Sequence, residues 1–216
     1  MTVSSARTLK RQRRFVRRTA QRSDSPQWQF LRGFLKNPVM VGSVIPSSKV
    51  LIDRMLAPVR WDEVRLFVEY GPGVGTFTRP VLDRLPEGAK LIAIDTNADF
   101  TDYLRKSIDD ERLIAVTGSA ADVQSIIKAQ GFDQADYILS GLPFSTLPPG
   151  VGEAIGEATA LAIRPGGAFL VYQFSPKVRD FIAPHFERIE RGFEWINVPP
   201  ATMFWAWREP DVQAAE

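Results

Sequence analysis

Three sets of residues in this chain have types and spacings suited to chemistry. The first is Glu69 followed by Gly71, Gly73 and Gly75 at alternate positions, in the stretch LFVEYGPGVGTFT. Leu66, Phe67 and Val68 form an apolar run suited to a buried parallel strand, and a helix is expected from about Phe77. Strand, glycine turn and helix together let backbone approach an adenosine-bearing ligand. The second is Asp95, twenty residues beyond Gly75, at the end of the strand expected at 90–95. A carboxylate there accepts hydrogen bonds from two ribose hydroxyls and disfavours a 2′-phosphate; it could also cap the next helix with Thr96 and Asn97. The third is Ser140-Gly141-Leu142-Pro143-Phe144, where the strand expected at 135–140 runs out.

The glycine spacing discriminates between ligands. A dinucleotide fingerprint would place glycine at position 76, where Thr76 stands. The pattern E-x-G-x-G-x-G resembles instead the S-adenosylmethionine loop of class I methyltransferases. Ser140 to Phe144 resembles the (Asn/Asp/Ser)-x-x-(Phe/Tyr) motif of amino-group methyltransferases. An amine must present its lone pair in line with a sulfonium methyl, so oxygen acceptors from Ser140 and nearby carbonyls would hold its N–H bonds. The ring of Phe144 is expected to face the nitrogen as it becomes cationic, a contact of roughly 0.5–2 kcal/mol; the alternative is a ring packed in the core. Gly118, Ser119 and Ala120, at the end of the third strand, are small enough to leave room for adenine. Tyr172, at the end of the fifth strand, could approach the amine or pack in the core.

The elements that must position these residues follow from periodicity. Helices are expected near 48–56, 98–108, 121–129, 151–163 and 176–184. Strands are expected from Leu66 to about Glu69, at 90–95, 113–117, 135–140 and from Ala168, with closing strands near 187–195 and 202–208. Strand-then-helix units of this kind imply an α/β fold, a doubly wound, mostly parallel seven-stranded sheet with helices on both faces. The last two strands, with no helix between them, suggest an antiparallel hairpin at one edge.

With 216 residues and 44% hydrophobic content, the chain can bury one such core. It has no cysteine and one histidine, His185, which excludes disulfides, thiolate metal sites and histidine-rich metal clusters. No metal is expected. The net charge is +2, but ten of the 27 basic residues and only one of the 25 acids, Asp24, fall in residues 1–36. A cationic arm therefore precedes a mildly acidic domain. Within it, QWQFLRGFLKNP places Trp28, Leu31 and Leu35 on one helical stripe widened by Phe30 and Phe34 and bordered by Arg32 and Lys36. A basic amphipathic helix with such a face can lie in a bilayer interface, or it can pack on the domain. The expected division is residues 1–46 as a helical membrane-binding extension and 47–216 as the catalytic domain.

FLRGFLKNPVMVGSVIPSS, VEYGPGVGTFT, AIDTN and SGLPFSTLP, in that order, resemble bacterial phosphatidylethanolamine N-methyltransferases of the Rhodobacter type, a family similar to ribosomal RNA adenine dimethylases. The resemblance runs from about Phe30 to Arg208. It implies S-adenosylmethionine as donor, the amine of phosphatidylethanolamine as acceptor, with onward methylation to phosphatidylcholine, and attachment to an anionic membrane surface through the N-terminal helix. The site residues implied are Glu69, Tyr70, Gly71, Gly73 and Gly75 for the methionine end, Asp95 and Thr96 for ribose, and Ser119 and Ala120 for adenine. Ser140, Gly141 and Leu142 would border the cofactor, Ser140, Phe144 and Tyr172 would serve the reaction, and Trp28, Leu31, Arg32, Phe34, Lys36 would meet membrane and substrate. Arg179 is a further candidate for a lipid phosphate. The expected place is the cytoplasm, peripheral at the inner face of the cytoplasmic membrane, with neither nucleic acid nor an obligate protein as partner. The alternative is an RNA adenine dimethylase, although that family leads its motif with Asn where this chain has Ser140. A regulatory module that binds the cofactor without turnover would keep Asp95 and the glycines but have no need of Ser140 and Phe144.

Overall fold

The computed structural model describes residues 48–173, 178–196 and 200–210. The readings made on residues 1–46, including Trp28, Leu31, Arg32, Phe34 and Lys36, lie outside them.

The first described element, α1 (Lys49–Leu56), is capped by Ser48, whose side chain accepts from the Leu51 N–H at 3.1 Å. β1 (Leu66–Tyr70) is buried at every residue, as its apolar composition requires. It lies between β2 (Lys90–Asp95) and β4 (Ala135–Ser140), parallel to both. β3 (Leu113–Thr117) flanks β2, and β5 (Ile163–Gln173) flanks β4. The chain closes with β6 (Arg188–Glu194) and β7 (Ala201–Trp207), an antiparallel hairpin whose second strand pairs with β5. The strand order is β3-β2-β1-β4-β5-β7-β6.

Helices α2 (Thr78–Leu82), α3 (Ala98–Ser107), α4 (Val123–Ala129), α5 (Val151–Ala162) and α6 (Val178–Ile182) connect the strands. They cover both faces. One core gathers Phe67, Phe77, Leu104 and Tyr137 with α1, and the other gathers Tyr70, Ile155, Phe169 and Phe204 with α4, α5 and α6. Between β1 and β4 the strand order reverses. Ligands of open α/β sheets bind at such a switch point, beyond the carboxyl ends of the strands. Glu69, Asp95 and Ser140 all stand at those ends.

One boundary differs from expectation. The fifth strand begins at Ile163, ahead of Pro165-Gly166-Gly167, which read as a helix stop before a strand starting at Ala168. Ile163 pairs with Ala135, and the register shifts before Ala168 pairs with Tyr137. The intervening residues bulge, with Gly166 at φ +78° and Gly167 packed so tightly that a Cβ would sit 2.4 Å from the Asp136 carbonyl.

Candidate active site

The glycine loop is held from below by a buried acid. Glu69 is 3% exposed, and Thr78 at the start of α2 donates its hydroxyl to Glu69 Oε2 at 2.6 Å. Burial pushes the Glu69 carboxyl up to about 7; the Thr78 bond partly opposes this, and the nearby charge of Asp95 adds to it. Gly73 has φ +54°, and a Cβ there would meet nothing within 4 Å. That opening leaves backbone accessible to a ligand. Gly75, with φ +85°, serves packing instead: a Cβ would stand 3.0 Å from Leu104 on α3. Gly71 approaches the other half of the site, since a Cβ on it would lie 3.0 Å from the Leu142 side chain.

Asp95 projects at the rim. Its Oδ1 accepts the Asn97 N–H at 2.8 Å, and the Gly73 N–H also bonds it, so this carboxylate ties β2 to the glycine loop. Burial raises its pKa, and the two backbone donors work against that rise. The cap of α3 is Asn97, whose side chain accepts from the Asp99 N–H at 3.0 Å. Asp95 is thus spared for a ligand on its remaining lone pairs.

A pocket opens beside these groups, lined by Gly71, Ile94, Asp95, Thr96, Gly118, Ser119, Ala120, Leu142, Leu147, Val151 and Ile155. Six residues expected to border the cofactor, Gly71, Asp95, Thr96, Ser119, Ala120 and Leu142, come together there. Ser119 is also a cap, its side chain accepting from the Ala121 N–H at 3.2 Å. Leu147, Val151 and Ile155 were not anticipated. They belong to α5 and the turn before it, and only the folded chain brings this apolar wall over the pocket.

Tyr70 departs from expectation. Its side chain is buried and its hydroxyl lies 3.2 Å from Thr159 Oγ1 on α5, so only its backbone serves the site, through the carbonyl that accepts the Gly141 N–H at 3.1 Å. Phe144 departs further. The ring is 2% exposed, stacked on Phe181 at 5.8 Å and edge-on to Phe169 at 6.5 Å. The expectation of an open ring facing an amine is therefore corrected: two aromatic neighbours draw the ring inward, and it anchors the acceptor loop from beneath.

The loop itself is tightly bonded. Ser140 is fully buried and its Oγ accepts the Leu142 N–H at 3.2 Å. The Leu142 carbonyl accepts from Phe144 N–H and from Gln173 Nε2, while the Pro143 carbonyl accepts from Thr146. Among the described residues no donor reaches the Gly141 carbonyl. Tyr172 crowds this glycine closely, for a Cβ there would lie 2.4 Å from the tyrosine hydroxyl. The Tyr172 ring stacks on Phe77 at 4.5 Å. Burial, followed by the charge of Glu69, raises the phenol above its ordinary pKa.

A positive-φ glycine loop, the Asp95 carboxylate beside it, and a pocket of small and apolar residues fit S-adenosylmethionine as cofactor. With the strand order, they match the Rossmann-like fold of class I S-adenosylmethionine-dependent methyltransferases. An O-methyltransferase from Bacillus cereus, solved in complex with SAH, shares this fold with a TM-score of 0.60 and 16% identity, covering 88% of this chain and 93% of that one. By sequence, an ornithine lipid N-methyltransferase of Singulisphaera acidiphila is 29% identical over 174 residues, 80% of this chain and 91% of that protein. A ribosomal RNA small subunit methyltransferase A of Bordetella pertussis is 32% identical over 130 residues. Those residues span 60% of this chain and only 42% of that relative. No protein-family model matches the chain.

Proposed function

We propose that this protein transfers methyl groups from S-adenosylmethionine to the primary amine of a membrane lipid headgroup, phosphatidylethanolamine being the acceptor implied by the sequence motifs. The ornithine lipid relative favours the same class of acceptor, because an ornithine side chain also ends in a primary amine.

When bound, the cofactor supplies an electrophilic methyl: the N–C bond forms as the S–C bond breaks, and its electron pair stays on sulfur. Everything else falls to the chain. Glu69 and the N–H groups of the glycine loop would hold the methionine end, with the Glu69 carboxylate facing its positive charge. Asp95 receives the ribose hydroxyls. The free Gly141 carbonyl accepts an N–H of the incoming amine and so aims its lone pair. Ser140 holds the loop in shape through the Leu142 N–H, and Tyr172 closes the side of the site. The amine must arrive neutral, and its remaining proton leaves to water after transfer.

The observation that carries the lipid reading is the turn between β6 and β7. Trp195 is 76% exposed and Ile196 68% exposed. The strand pairing sets this turn at the edge where β5 ends, because Gln173 lies opposite Thr202 and Glu194 opposite Ala201. Active site and apolar tip therefore face the same way. Glu194 anchors the start of this turn: its buried carboxylate accepts the Ile196 N–H at 2.9 Å and pairs with Arg54 of α1 at 2.7 Å. A tryptophan held outward beside the catalytic edge suits a bilayer interface. Among the described residues no helix is long and apolar enough to cross a membrane.

The test is a competition. Radiolabelled S-adenosylmethionine is offered to the protein with vesicles of ethanolamine phospholipid and ribosomal RNA in one tube. Label in the organic extract supports the reading, and label only in RNA rejects it.

A further inference from the structure

A second cleft, of about 320 Å3, opens between α6 and the hairpin, lined by Arg179, Ile189, Arg191 and Phe204. Its two arginines lack ion-pair partners among the described residues. By contrast, Arg84 pairs with Asp53, Arg112 with Asp110 and Arg164 with Asp136. Acids near the cleft do not neutralise it. Glu190 alternates to the other face of β6 and pairs with Arg188, and Asp180 forms no ion pair with Arg179. Two cations sharing one recess repel each other until an anion enters. Ile189 and Phe204 give the recess an apolar floor.

The position of the cleft relates it to the acceptor loop. Ser140 pairs with Val171, Val171 with Phe204, and Phe204 with Arg191, so these four residues form one row across the sheet. Three strand spacings, about 14 Å, separate the backbones of Ser140 and Arg191. An extended arginine side chain and one lipid headgroup span that distance together. Arg179 comes from the other side, in the short helix after β5, two residues before the Phe181 that stacks on Phe144. The cleft thus adjoins the support of the amine-binding loop.

We propose that Arg179 and Arg191 form an anion subsite that takes the acidic group of the acceptor's headgroup while the loop at Ser140 holds its amine. This rests on the lipid-amine reading. The shared chemistry is an oxyanion one headgroup length from a primary amine: the phosphate of an ethanolamine phospholipid or the carboxylate of an ornithine lipid. Arginine suits either, because its planar fork bonds phosphate and carboxylate in a bidentate manner.

The experiment uses the full chain with Arg179→Gln, Arg191→Gln and the double variant, each checked for an unchanged melting curve and cofactor affinity. Three acceptors are presented in vesicles of one zwitterionic carrier lipid: ethanolamine phospholipid, ornithine lipid, and a long-chain primary amine without an acidic group. The expected result is a KM raised at least tenfold in the double variant for the acceptor whose anion the subsite takes. Little change in kcat and no change for the anion-free amine are expected alongside it. Whichever of the two anionic acceptors shows the effect names the source of the anion. Equal KM in wild type and variant, or an equal loss on the anion-free amine, overturns the subsite while leaving lipid methylation standing. If wild type methylates no lipid amine, the functional reading falls separately. Calorimetry with inorganic phosphate then judges the cleft: binding lost in the double variant retains an anion site, and no binding to wild type removes it. RNA binding lost in the same variants would reassign the cleft to a phosphodiester backbone and overturn the proposal.

Discussion

Thr78 donates to Glu69 across the glycine loop at 2.6 Å, the hydroxyl at the start of α2 reaching back to a carboxylate in β1. This bond closes the loop from beneath, while burial raises the Glu69 carboxyl to about 7 against the pull of the same bond. A group whose folded pKa is raised stabilises the protein fully below its unfolded pKa, and that contribution is lost as pH rises through the folded value. For Glu69 the window runs from 4.5 to about 7, worth up to roughly 3 kcal/mol. Glu69→Gln should therefore lose less stability than wild type between pH 4.5 and 8, measured by denaturant unfolding. Cofactor binding should draw out the Glu69 proton, so wild-type affinity should weaken as pH falls below about 7 while that of Glu69→Gln stays low and flat. Identical pH profiles for the two proteins would remove Glu69 from the cofactor's charged end.

Asp95 carries two duties, ribose binding and the tie to Gly73 and Asn97. Asp95→Asn keeps an acceptor oxygen for the Asn97 N–H and loses the charge. Charge-assisted bonds to ribose are worth roughly 1.5–3 kcal/mol, so calorimetry should show cofactor affinity falling at least tenfold with little change in melting temperature. Unchanged affinity would reassign Asp95 to loop structure alone.

Phe144 is an anchor, and its truncation should act on stability first. Phe144→Ala opens a cavity beside Phe169 and Phe181 and should cost about 3–5 kcal/mol in chemical unfolding. Phe144→Leu should recover much of that stability and most of the activity. A Leu variant that is stable yet inactive would restore the ring to direct contact with the acceptor.

Trp195 and Ile196 test the approach to the membrane. Replacing both by Ser removes exposed apolar surface and should leave the melting temperature within about 2 °C, since neither residue supports the core. Vesicle flotation should fall severalfold, and turnover on vesicles should fall with it. Turnover on a short-chain, soluble phosphatidylethanolamine should hold. Flotation equal to wild type would take the turn out of membrane contact.

Much of the architecture was legible because it is locally encoded. β2, β3 and β4 begin and end where their apolar runs do, at Lys90, Leu113 and Ala135 and at Asp95, Thr117 and Ser140. Glycines with positive φ at 71, 73 and 75 marked the loop, since only glycine adopts that conformation freely. What escaped depends on partners distant in sequence. Phe144 resembled an exposed motif ring until Phe181, on a later helix, covered it. The wall of Leu147, Val151 and Ile155 has no pattern separating it from ordinary helix core. Pro165-Gly166-Gly167 punctuated a helix, but the pairing of Ile163 with Ala135 extended the strand across the bulge. The Arg179–Arg191 cleft arises from pairing three strands away from Ser140, which no local spacing announces.

The most direct measurement is mass spectrometry of total lipids from a host that makes no N-methylated lipids and expresses this chain. The account predicts new species carrying one or more added methyl groups on the amine headgroup, absent when Asp95→Asn is expressed at equal level. Unaltered lipids, with added methyl groups found instead in the host's ribosomal RNA, would contradict it.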